Sequence, residues 1–420
     1  MNFFEYRNCE MAAENVSVSD IAEKVGTPFY LYSSASLAYQ YNQFKESFGE
    51  TDILICYAVK ANTNQAVIKT LAEQGAGADV VSEGELKRAL LAGVPASKIV
   101  YSGVAKRVHE MTFALEQGIY QFNVESEPEL HQLSEVADGL GKTADITFRV
   151  NPDVDAKTHA KISTGKSENK FGVPWKGIRE LCAHAATLPG IKLVGLDLHI
   201  GSQITELDPF EEAFTRISGL IETLREDGHD ITRLDLGGGL GIPYEGDDFP
   251  PLPREYAEMV KRVTNHLGCR IIIEPGRFLV GNAGILVSQV VYVKKGEERQ
   301  FLIIDAAMND LIRPSMYDAY HGIEPVLENE EESVHYDVVG PVCETGDTFA
   351  TNRLLKPLSS GDLVAIRSVG AYGAVMSSTY NTRPLIPEVL VKDKEFAIVR
   401  PRPSYDEIIG LDQLPSWLSK

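Results

Sequence analysis

The amino-acid sequence predicts an α/β protein, in which a (β/α)₈ barrel is followed by a second domain made of β-strands. Three observations support this prediction: short apolar runs recur eight times, helix-like stretches separate them, and the pattern changes after about residue 280. The eight runs are Ile53–Val59, Ala78–Ser82, Ile99–Ser102, Gln121–Val124, Ala144–Val150, Leu193–Ile200, Leu234–Leu236 and Ile271–Ile273. Most are continuously apolar, as expected of strands buried on both faces of a parallel sheet. A doubly wound open sheet is the alternative, because eight alternating units can also lie flat.

Two of the intervening stretches show a helical pattern. Glu127–Gly141 places its apolar residues on one stripe and ends in glycine. Ser82–Gly93 begins with a residue that can cap a helix, has Glu85 three positions later, and also ends in glycine. Strands and helices that alternate over about 250 residues match the length of a (β/α)₈ barrel. We therefore expect the barrel to span residues 30–280.

The remainder of the chain is predicted to form an all-β domain of Greek-key or sandwich type over residues 281–420. Its strand-like segments are Ile285–Tyr292, Phe301–Asp305, Leu363–Arg367, Glu388–Val391 and Phe396–Arg400. Turn residues separate them, and no long amphipathic helix lies between them. The N-terminal segment 1–29 is expected to join this domain, since Pro28–Tyr32 is also strand-like.

Composition and charge exclude several classes of protein. With 44% hydrophobic and 24% charged residues, the chain has ordinary globular usage. Its formal net charge of −20 opposes binding to nucleic acid or to an anionic lipid surface. The five cysteines include no C-x-x-C pair, which argues against a disulfide framework and fits a reducing compartment. We expect a cytoplasmic protein that binds neither nucleic acid nor membrane, with no metal ion among its site residues.

Functional side chains of such a barrel lie at the carboxyl ends of its strands. The first run ends near Lys60, which either extends along the rim into solvent or bonds covalently to a cofactor carbonyl group. The sixth run ends near His199, and Gly201 and Ser202 follow it. This histidine either stacks on a flat ligand or is a core histidine bonded to a neighbour. Neither segment decides between its two interpretations on its own.

The last two runs end in groups that suit an anion. After the seventh run come three glycines, Gly237, Gly238 and Gly239. Their backbone N–H groups either bind an anion or form a tight structural turn. The eighth run ends at Glu274, followed by Gly276 and Arg277. The ends of strands seven and eight are the usual phosphate position in such barrels.

Together, the four strand ends supply an amine, a platform for a flat ring, a phosphate site and a carboxylate. Pyridoxal phosphate needs these groups, because its aldehyde, ring, phosphate and pyridine nitrogen each require a partner. Each group has an ordinary structural explanation when it is taken alone. Their occurrence together at the expected strand ends favours the cofactor.

Several segments resemble the alanine-racemase-like family of pyridoxal-phosphate enzymes, which also holds ornithine and arginine decarboxylases. The segments are YAVKAN (57–62), HIGSQI (199–204), GGGLG (237–241), EPGR (274–277), GPVCETGD (340–347) and YNTRP (380–384). They occur in order over almost the whole chain. YAVKAN and EPGR mark the family, whereas HIGSQI and RPSMY (313–317) are closer to its diaminopimelate-decarboxylating members.

The resemblance implies a pyridoxal-phosphate-dependent decarboxylase that converts meso-diaminopimelate to L-lysine and carbon dioxide. Lys60 would bond to the cofactor, His199 would stack on its ring, and Glu274 would face the pyridine nitrogen. The other cofactor contacts implied are Ser202, Gly237, Gly238, Gly239, Gly276, Arg277 and Tyr372.

The resemblance also implies a substrate site and a partner. Arg277, Arg313 and Tyr317 would bind the far carboxylate of the substrate, which suits the bidentate fork of arginine. Glu344 would bind the far ammonium, and Tyr372 would contact both cofactor and substrate. Cys343 would donate a proton, and it would reach the site with Glu344 from the partner subunit of a homodimer. Lys60, Cys343 and His199 are therefore the implied catalytic residues.

Two alternatives of different kinds stay open. The first is a decarboxylase for ornithine or arginine, against which Arg313 and Tyr317 argue because those substrates have no far carboxylate. The second is a non-catalytic carrier of pyridoxal phosphate, which needs neither a β domain nor Cys343. Without the resemblance, the expected interpretation of Arg313 is an arginine in a surface salt bridge. That of Cys343 is a small hydrophobic residue buried in the core.

Overall fold

The computed structural model describes residues 3–155, 170–244 and 249–418 of the chain. The protein consists of two compact units, Leu37–Val280 and the combination of Met1–Ser36 with Gly281–Lys420. In the part of the chain that the structure describes, no helix is both long and apolar enough to cross a membrane.

The N-terminal segment forms a small antiparallel sheet, a helix and a longer strand. These elements are β1 (Phe4–Arg7), β2 (Glu10–Ala13), β3 (Val16–Ser17), α1 (Val18–Val25) and β4 (Phe29–Ser33). Ser17 caps α1, because its hydroxyl accepts a hydrogen bond from the backbone N–H of Asp20.

The unit Leu37–Val280 alternates strands with helices. Its strands are β5 (Ile53–Ala58), β6 (Gly77–Val80), β7 (Ile99–Tyr101), β8 (Gln121–Val124), β9 (Ala144–Asn151), β10 (Val173–Pro174), β11 (Ile191–Asp197), β12 (Arg233–Asp235) and β13 (Arg270–Ile273). Its helices, the first of which begins just before the unit, are α2 (Ser34–Phe48), α3 (Gln65–Glu73), α4 (Glu83–Leu91), α5 (Val108–Gln117), α6 (Glu127–Gly139), α7 (Ile178–Ala185), α8 (Asp208–Glu226), α9 (Pro253–Thr264) and α10 (Arg277–Val280).

Eight of these strands close into a parallel barrel. The order is β5-β6-β7-β8-β9-β11-β12-β13, and β13 pairs again with β5. The prediction of a (β/α)₈ barrel is thus confirmed, and the open sheet is excluded because the closed order leaves no edge strand. The apolar runs locate all eight strands. The run Leu193–Ile200 extends past the end of β11 because Leu198 and Ile200 stay buried after the chain leaves the sheet.

The second unit is rich in strands, as predicted. Its later elements are β14 (Gly284–Lys295), β15 (Gln300–Ile304), α11 (Arg313–Tyr317), β16 (Ile323–Pro325), β17 (Val334–Val339), β18 (Thr348–Leu355), β19 (Leu363–Ile366), β20 (Glu388–Lys392), β21 (Glu395–Arg400) and α12 (Tyr405–Ile409). The main sheet runs β18-β17-β15-β14-β4-β20-β21, and β19 pairs with both β14 and β16. The sequence missed β16, β17 and β18. In β18, exposed Thr351 and Asn352 interrupt the apolar pattern on which the prediction relied.

Candidate active site

Lys60 lies where β5 leaves the barrel. The strand ends at Ala58, and a single 3₁₀ turn over Val59–Ala61 carries the lysine. Its Nζ is 3.0 Å from Oδ2 of Asp79, which is fully buried at the end of β6. The Lys60 side chain is 38% exposed, so the amine is held by a buried carboxylate and still open on one side. The sequence did not identify Asp79 as this partner.

Glu274 belongs to a group of three buried carboxyl groups. One oxygen each of Asp197, Asp235 and Glu274 lies within 4.8 Å of the others. Burial, and then the neighbouring Asp235, raise the pKa of Glu274 well above the ordinary carboxyl range. Burial also raises the pKa of Asp235 to about 7. Three carboxylates this close cannot all be ionised, so the group holds at least one proton at neutral pH.

Asn123 determines where a proton on Glu274 resides. The amide of this fully buried residue donates to Oε1 of Glu274 at 3.1 Å and to Oγ of Ser102 at 3.1 Å. The Ser102 hydroxyl lies 3.4 Å from the same Oε1. Because Oε1 accepts from these donors, we infer that Oε2 is the oxygen that carries a proton on Glu274. Thr147 fixes the Asn123 amide by donating to its Oδ1 at 2.8 Å.

The structure makes His199 a neutral ring. The backbone N–H of Gly238 donates to its Nδ1 at 3.2 Å, so the ring proton is on Nε2. Burial, and then the positive charges of Arg149 and Lys60, hold the pKa of His199 well below its ordinary value. An uncharged imidazole is suited to stacking on an aromatic ring.

Two of the three glycine N–H groups already have acceptors within the chain, whereas the sequence suggested that all three could bind an anion. Gly237 donates its N–H to Oδ1 of Asp235 at 3.0 Å, and Gly238 donates to His199. These two amides are used within the chain because the segment folds back on its own strand ends. The amides of Gly239 and Gly276, in contrast, have no acceptor among the described residues.

Close packing explains why glycine is needed in this segment. A Cβ atom on Gly238 would lie 2.3 Å from the carbonyl oxygen of Glu274, and one on Gly239 would lie 2.6 Å from that of Gly201. Both distances are far below contact distance. The glycines therefore allow the loop after β12 to approach the two neighbouring strand ends.

Arg277 and Ser202 are in direct contact, as a shared site requires. The guanidinium Nη2 donates to Oγ of Ser202 at 3.1 Å, and Nη1 donates to the hydroxyl of Tyr244. Arg277 is buried, and the sequence missed Tyr244. A hydroxyl and a guanidinium side by side provide two kinds of hydrogen-bond donor for an anionic group.

The residues of this unit fit pyridoxal phosphate. Lys60 offers an amine, Glu274 a carboxyl group with a raised pKa, and His199 a neutral ring. Gly239 and Gly276 offer amides that the described part of the chain does not use. Glu274 is the residue on which this fit depends. Its raised pKa means that the buried cluster carries a proton, which it can share with a pyridine nitrogen.

Arg313, in the other unit, is buried and not a surface salt-bridge arginine. Its Nε donates to Nε2 of His321 at 3.3 Å. His321 Nδ1 lies 2.8 Å from the carbonyl oxygen of Arg367, which can only accept, so the proton of His321 is on Nδ1. Tyr317 has its ring centroid 5.8 Å from the Arg313 guanidinium. Arg313 is thus oriented by the Nε2 atom of His321 and lies beside the ring of Tyr317.

Cys343 and Glu344 lie on a turn that a buried residue organises. Asp347 accepts hydrogen bonds from the backbone N–H groups of Val342 and Met308, both at 2.6 Å. Burial raises the pKa of Asp347 above its ordinary value. The sequence did not single out this residue. Cys343 itself is exposed, so it is not the small buried hydrophobe that was the alternative.

The same turn approaches the helix that bears Arg313. A Cβ atom on Gly346 would lie 3.1 Å from Oγ of Ser315 and 3.3 Å from Oε1 of Glu344. The structure therefore places Glu344 near α11, which carries Arg313 and Tyr317. Tyr372 lies elsewhere in this unit, at a left-handed turn with φ 56°.

Comparisons with known proteins agree on one family. Residues 34–281 match the sequence model of a protein family described as "Pyridoxal-dependent decarboxylase, pyridoxal binding domain". A diaminopimelate decarboxylase of Zymomonas mobilis is 47% identical over 419 residues, which is 99% of each chain. The diaminopimelate decarboxylase from M. jannaschii, solved in co-complex with L-lysine, has a TM-score of 0.95 and 37% identity over 99% of both chains. That from Helicobacter pylori, complexed with L-lysine, has a TM-score of 0.90 and 40% identity, covering 94% of this chain and 98% of that one.

Proposed function

This chain belongs to the diaminopimelate decarboxylases, within the pyridoxal-dependent decarboxylase family, and we propose from this premise what its individual residues do. It is a pyridoxal-phosphate-dependent carboxy-lyase that decarboxylates diaminopimelate to L-lysine. The observation that carries the assignment of its site is the placement of Lys60 just after β5 and of the buried Glu274 just after the neighbouring strand β13.

The cofactor site is proposed to be built from barrel residues together with Tyr372, which would contact both cofactor and substrate. Lys60 bonds the cofactor, and Asp79 keeps its amine at the end of β5. Glu274 would hold a proton at the pyridine nitrogen, and its Oε1 accepts a hydrogen bond from Asn123. His199 stacks on the ring as a neutral imidazole. The phosphate is bound by the amides of Gly239 and Gly276 together with Ser202 and Arg277.

The reaction then breaks one carbon–carbon bond and forms one carbon–hydrogen bond. Bound pyridoxal phosphate supplies an electron sink for the pair released as carbon dioxide leaves the α-carbon. A proton held by Glu274 at the ring nitrogen would make this sink effective. Cys343 donates its thiol proton to the α-carbon, and solvent then restores the thiol. Lys60 accepts and returns protons as the product amine is released.

Recognition of the distant end of the substrate is proposed to lie in the β-rich unit. Arg313 pairs with the far carboxylate, and His321 keeps its guanidinium oriented. Tyr317 contributes a hydroxyl beside it, and Glu344 pairs with the far ammonium. Charges of both signs are needed here because diaminopimelate carries both a carboxylate and an ammonium at that end.

A decarboxylation assay tests the function directly. The purified protein with pyridoxal phosphate is expected to release carbon dioxide from meso-diaminopimelate with a far higher kcat/KM than from L-lysine, L-ornithine or L-arginine. The reason is that only the first substrate has a second carboxylate, at its far end, for Arg313 to bind. Preference for ornithine or arginine would support the alternative decarboxylase, and no release from any of the four would support a carrier.

We further propose that the protein works as a homodimer in which Cys343 and Glu344 serve the site of the partner subunit. Support comes from the position of Cys343, which is exposed on a turn held by Asp347. An exposed, well-ordered turn with a thiol and a carboxylate is suited to completing a site in another subunit. A two-fold axis would then create two such sites in each dimer.

Mixing variants checks this arrangement. Lys60→Ala and Cys343→Ala subunits are each expected to be inactive alone. After random subunit exchange, about half of the dimers are mixed and each has one intact site, so about a quarter of wild-type activity should return. Radiometric carbon dioxide release measures it.

The control mixture combines wild type with the double variant Lys60→Ala/Cys343→Ala. If Cys343 acts across the interface, both sites of a mixed dimer lack one residue, and activity falls to about a quarter of wild type. If Cys343 serves its own subunit, about half remains, and the first mixture stays inactive. That pair of results would contradict the shared site.

A further inference from the structure

Two histidines and a glutamate meet on the helical layer of the barrel unit, away from the strand ends described above. Glu127 and His131 lie one turn apart on α6, and His184 lies on α7. The Nε2 atoms of the two histidines are 3.3 Å apart, and Oε1 of Glu127 is 3.9 Å from Nε2 of His131. All three ligand atoms lie within 4.8 Å of one another.

We propose that Glu127, His131 and His184 form a site for a divalent transition-metal ion of the Zn²⁺ class. Imidazole nitrogen and carboxylate oxygen are the ligands that Zn²⁺ takes from proteins. With Zn–N bonds of about 2.0–2.1 Å, tetrahedral geometry places two ligand nitrogens about 3.3–3.4 Å apart. The separation of the two imidazole nitrogens already has this value.

The histidine pair is also within hydrogen-bond distance, since a proton on one of the two Nε2 atoms can be donated to the other at 3.3 Å. A bound metal ion would take the place of that proton. The two rings are tilted by 56°, with centroids 4.9 Å apart, so they do not stack face to face. The Nε2 atoms of both rings and Oε1 of Glu127 border one small volume, which is the arrangement that a shared cation requires.

The helices are held in place without any metal ion. Ser126 caps α6 by accepting from the N–H of Glu129, so the turn that carries Glu127 is anchored. The hydroxyl of Ser134 on α6 donates to the carbonyl oxygen of Pro189, just beyond α7, at 2.7 Å. A Cβ atom on Gly190 would lie 2.9 Å from Cβ of Ala137, which shows how closely the chain after α7 packs on α6.

Such preorganisation lowers the cost of binding, because the ligands need not be brought together. The Glu127 side chain is 63% exposed and can rotate to complete the ligand set. Water would fill the fourth position.

A bound ion would link α6 to α7 and favour only conformations in which both helices are packed. We assign the site a role in stabilising this side of the barrel and none in decarboxylation.

Zinc content of the pyridoxal-phosphate-loaded enzyme tests the proposal. The protein is first stripped with a chelator, then dialysed against Zn²⁺, and the bound metal is measured by elemental analysis. Wild type is expected to hold one more Zn²⁺ per chain than either His131→Ala or His184→Ala. Mg²⁺ should produce no such difference, because it prefers all-oxygen sites.

His266→Ala is the matched control. His266 is another histidine beside a glutamate, with its Nε2 3.4 Å from Oε1 of Glu222, but no second histidine among the described residues joins this pair. This variant should retain the zinc of wild type. Comparing variants removes any contribution from zinc bound at Cys343 or at the buried carboxyl groups, since these are unchanged in all of them.

Two further measurements separate a specific site from a disturbed fold. Metal-free His131→Ala and His184→Ala should keep wild-type decarboxylase activity, since neither residue belongs to the active site. Zn²⁺ should slow hydrogen exchange in α6 and α7 of wild type and not of the variants. Equal zinc content in wild type and both histidine variants would overturn the proposal, as would an equal loss in His266→Ala.

Discussion

Replacing Lys60 with alanine is expected to lower kcat/KM for diaminopimelate by at least about a thousandfold. Proton transfer by a positioned side chain contributes roughly a hundred- to ten-thousand-fold, and Lys60 is proposed to bond the cofactor as well. The rate of carbon dioxide release measures the loss. Lys69→Ala is the control, because Lys69 is an exposed lysine on the next helix, paired only with Glu73 at 3.7 Å.

Chemical trapping checks the same assignment without relying on activity. Borohydride reduction of the loaded enzyme should fix the cofactor to a peptide that contains Lys60, and Lys60→Ala should give no labelled peptide. A label on Lys106 or on any other lysine of the wild-type enzyme would contradict the assignment. Lys106 is not expected to react, since its amine is buried in a 2.6 Å contact with Glu129.

Asp79 allows loss of function to be separated from loss of stability. In Lys60→Ala, the fully buried Asp79 loses the amine that lies 3.0 Å from its Oδ2. Lys60→Ala/Asp79→Asn removes the unpaired charge and should regain thermal stability. It should remain inactive, because the amine is still missing. Recovery of activity in this double variant would show that Lys60 is needed only as a partner for Asp79.

Replacing Arg313 with leucine is expected to have the second largest effect. It leaves the far carboxylate of diaminopimelate buried without its partner, which costs about 2–5 kcal/mol. That cost corresponds to a loss of roughly thirty- to several-thousand-fold in kcat/KM. Activity on L-lysine, which lacks the far carboxylate, should be low at the start and should fall little further.

The controls for Arg313 are the fold and a second arginine. Circular dichroism and the absorbance of the bound cofactor should be unchanged, because Arg313 is assigned to the substrate and not to the cofactor. Arg299→Leu removes an exposed arginine of the same unit, paired with Asp337 at 3.1 Å, and should leave kcat/KM near wild type. Near-normal kcat/KM in Arg313→Leu would refute the role, and equal losses on both substrates would indicate a general structural defect.

The sequence predicted the barrel well because its strands are buried on both faces. Gln121–Val124, for example, has the same bounds in the sequence prediction and in the structure. Ser82 likewise caps α4 as predicted, since its hydroxyl accepts from the N–H of Glu85. Such signals are local, because burial and capping leave a pattern in adjacent residues. The strand-end rule then led to Lys60 and Glu274.

The partners of these residues could not be predicted in the same way. Asp79 pairs with Lys60 because β5 and β6 are neighbours in register, with Ala58 opposite Asp79. Asn123 reaches Glu274 across the barrel interior, 151 positions away in the chain. Nothing in the local pattern distinguishes these polar residues from others in buried strands. Only the closed barrel brings them together.

The place of β4 in its sheet has a consequence for how the protein is made. Leu31 pairs with Ile285 on one side and with Val389 on the other. A ribosome that adds about 5–20 residues per second needs roughly ten to seventy seconds to supply these neighbours. During that time the barrel, which is continuous in sequence, can emerge and fold, while β4 waits with its edges unpaired. The early strand must therefore be kept from pairing with other nascent chains until the last part of the chain is synthesised.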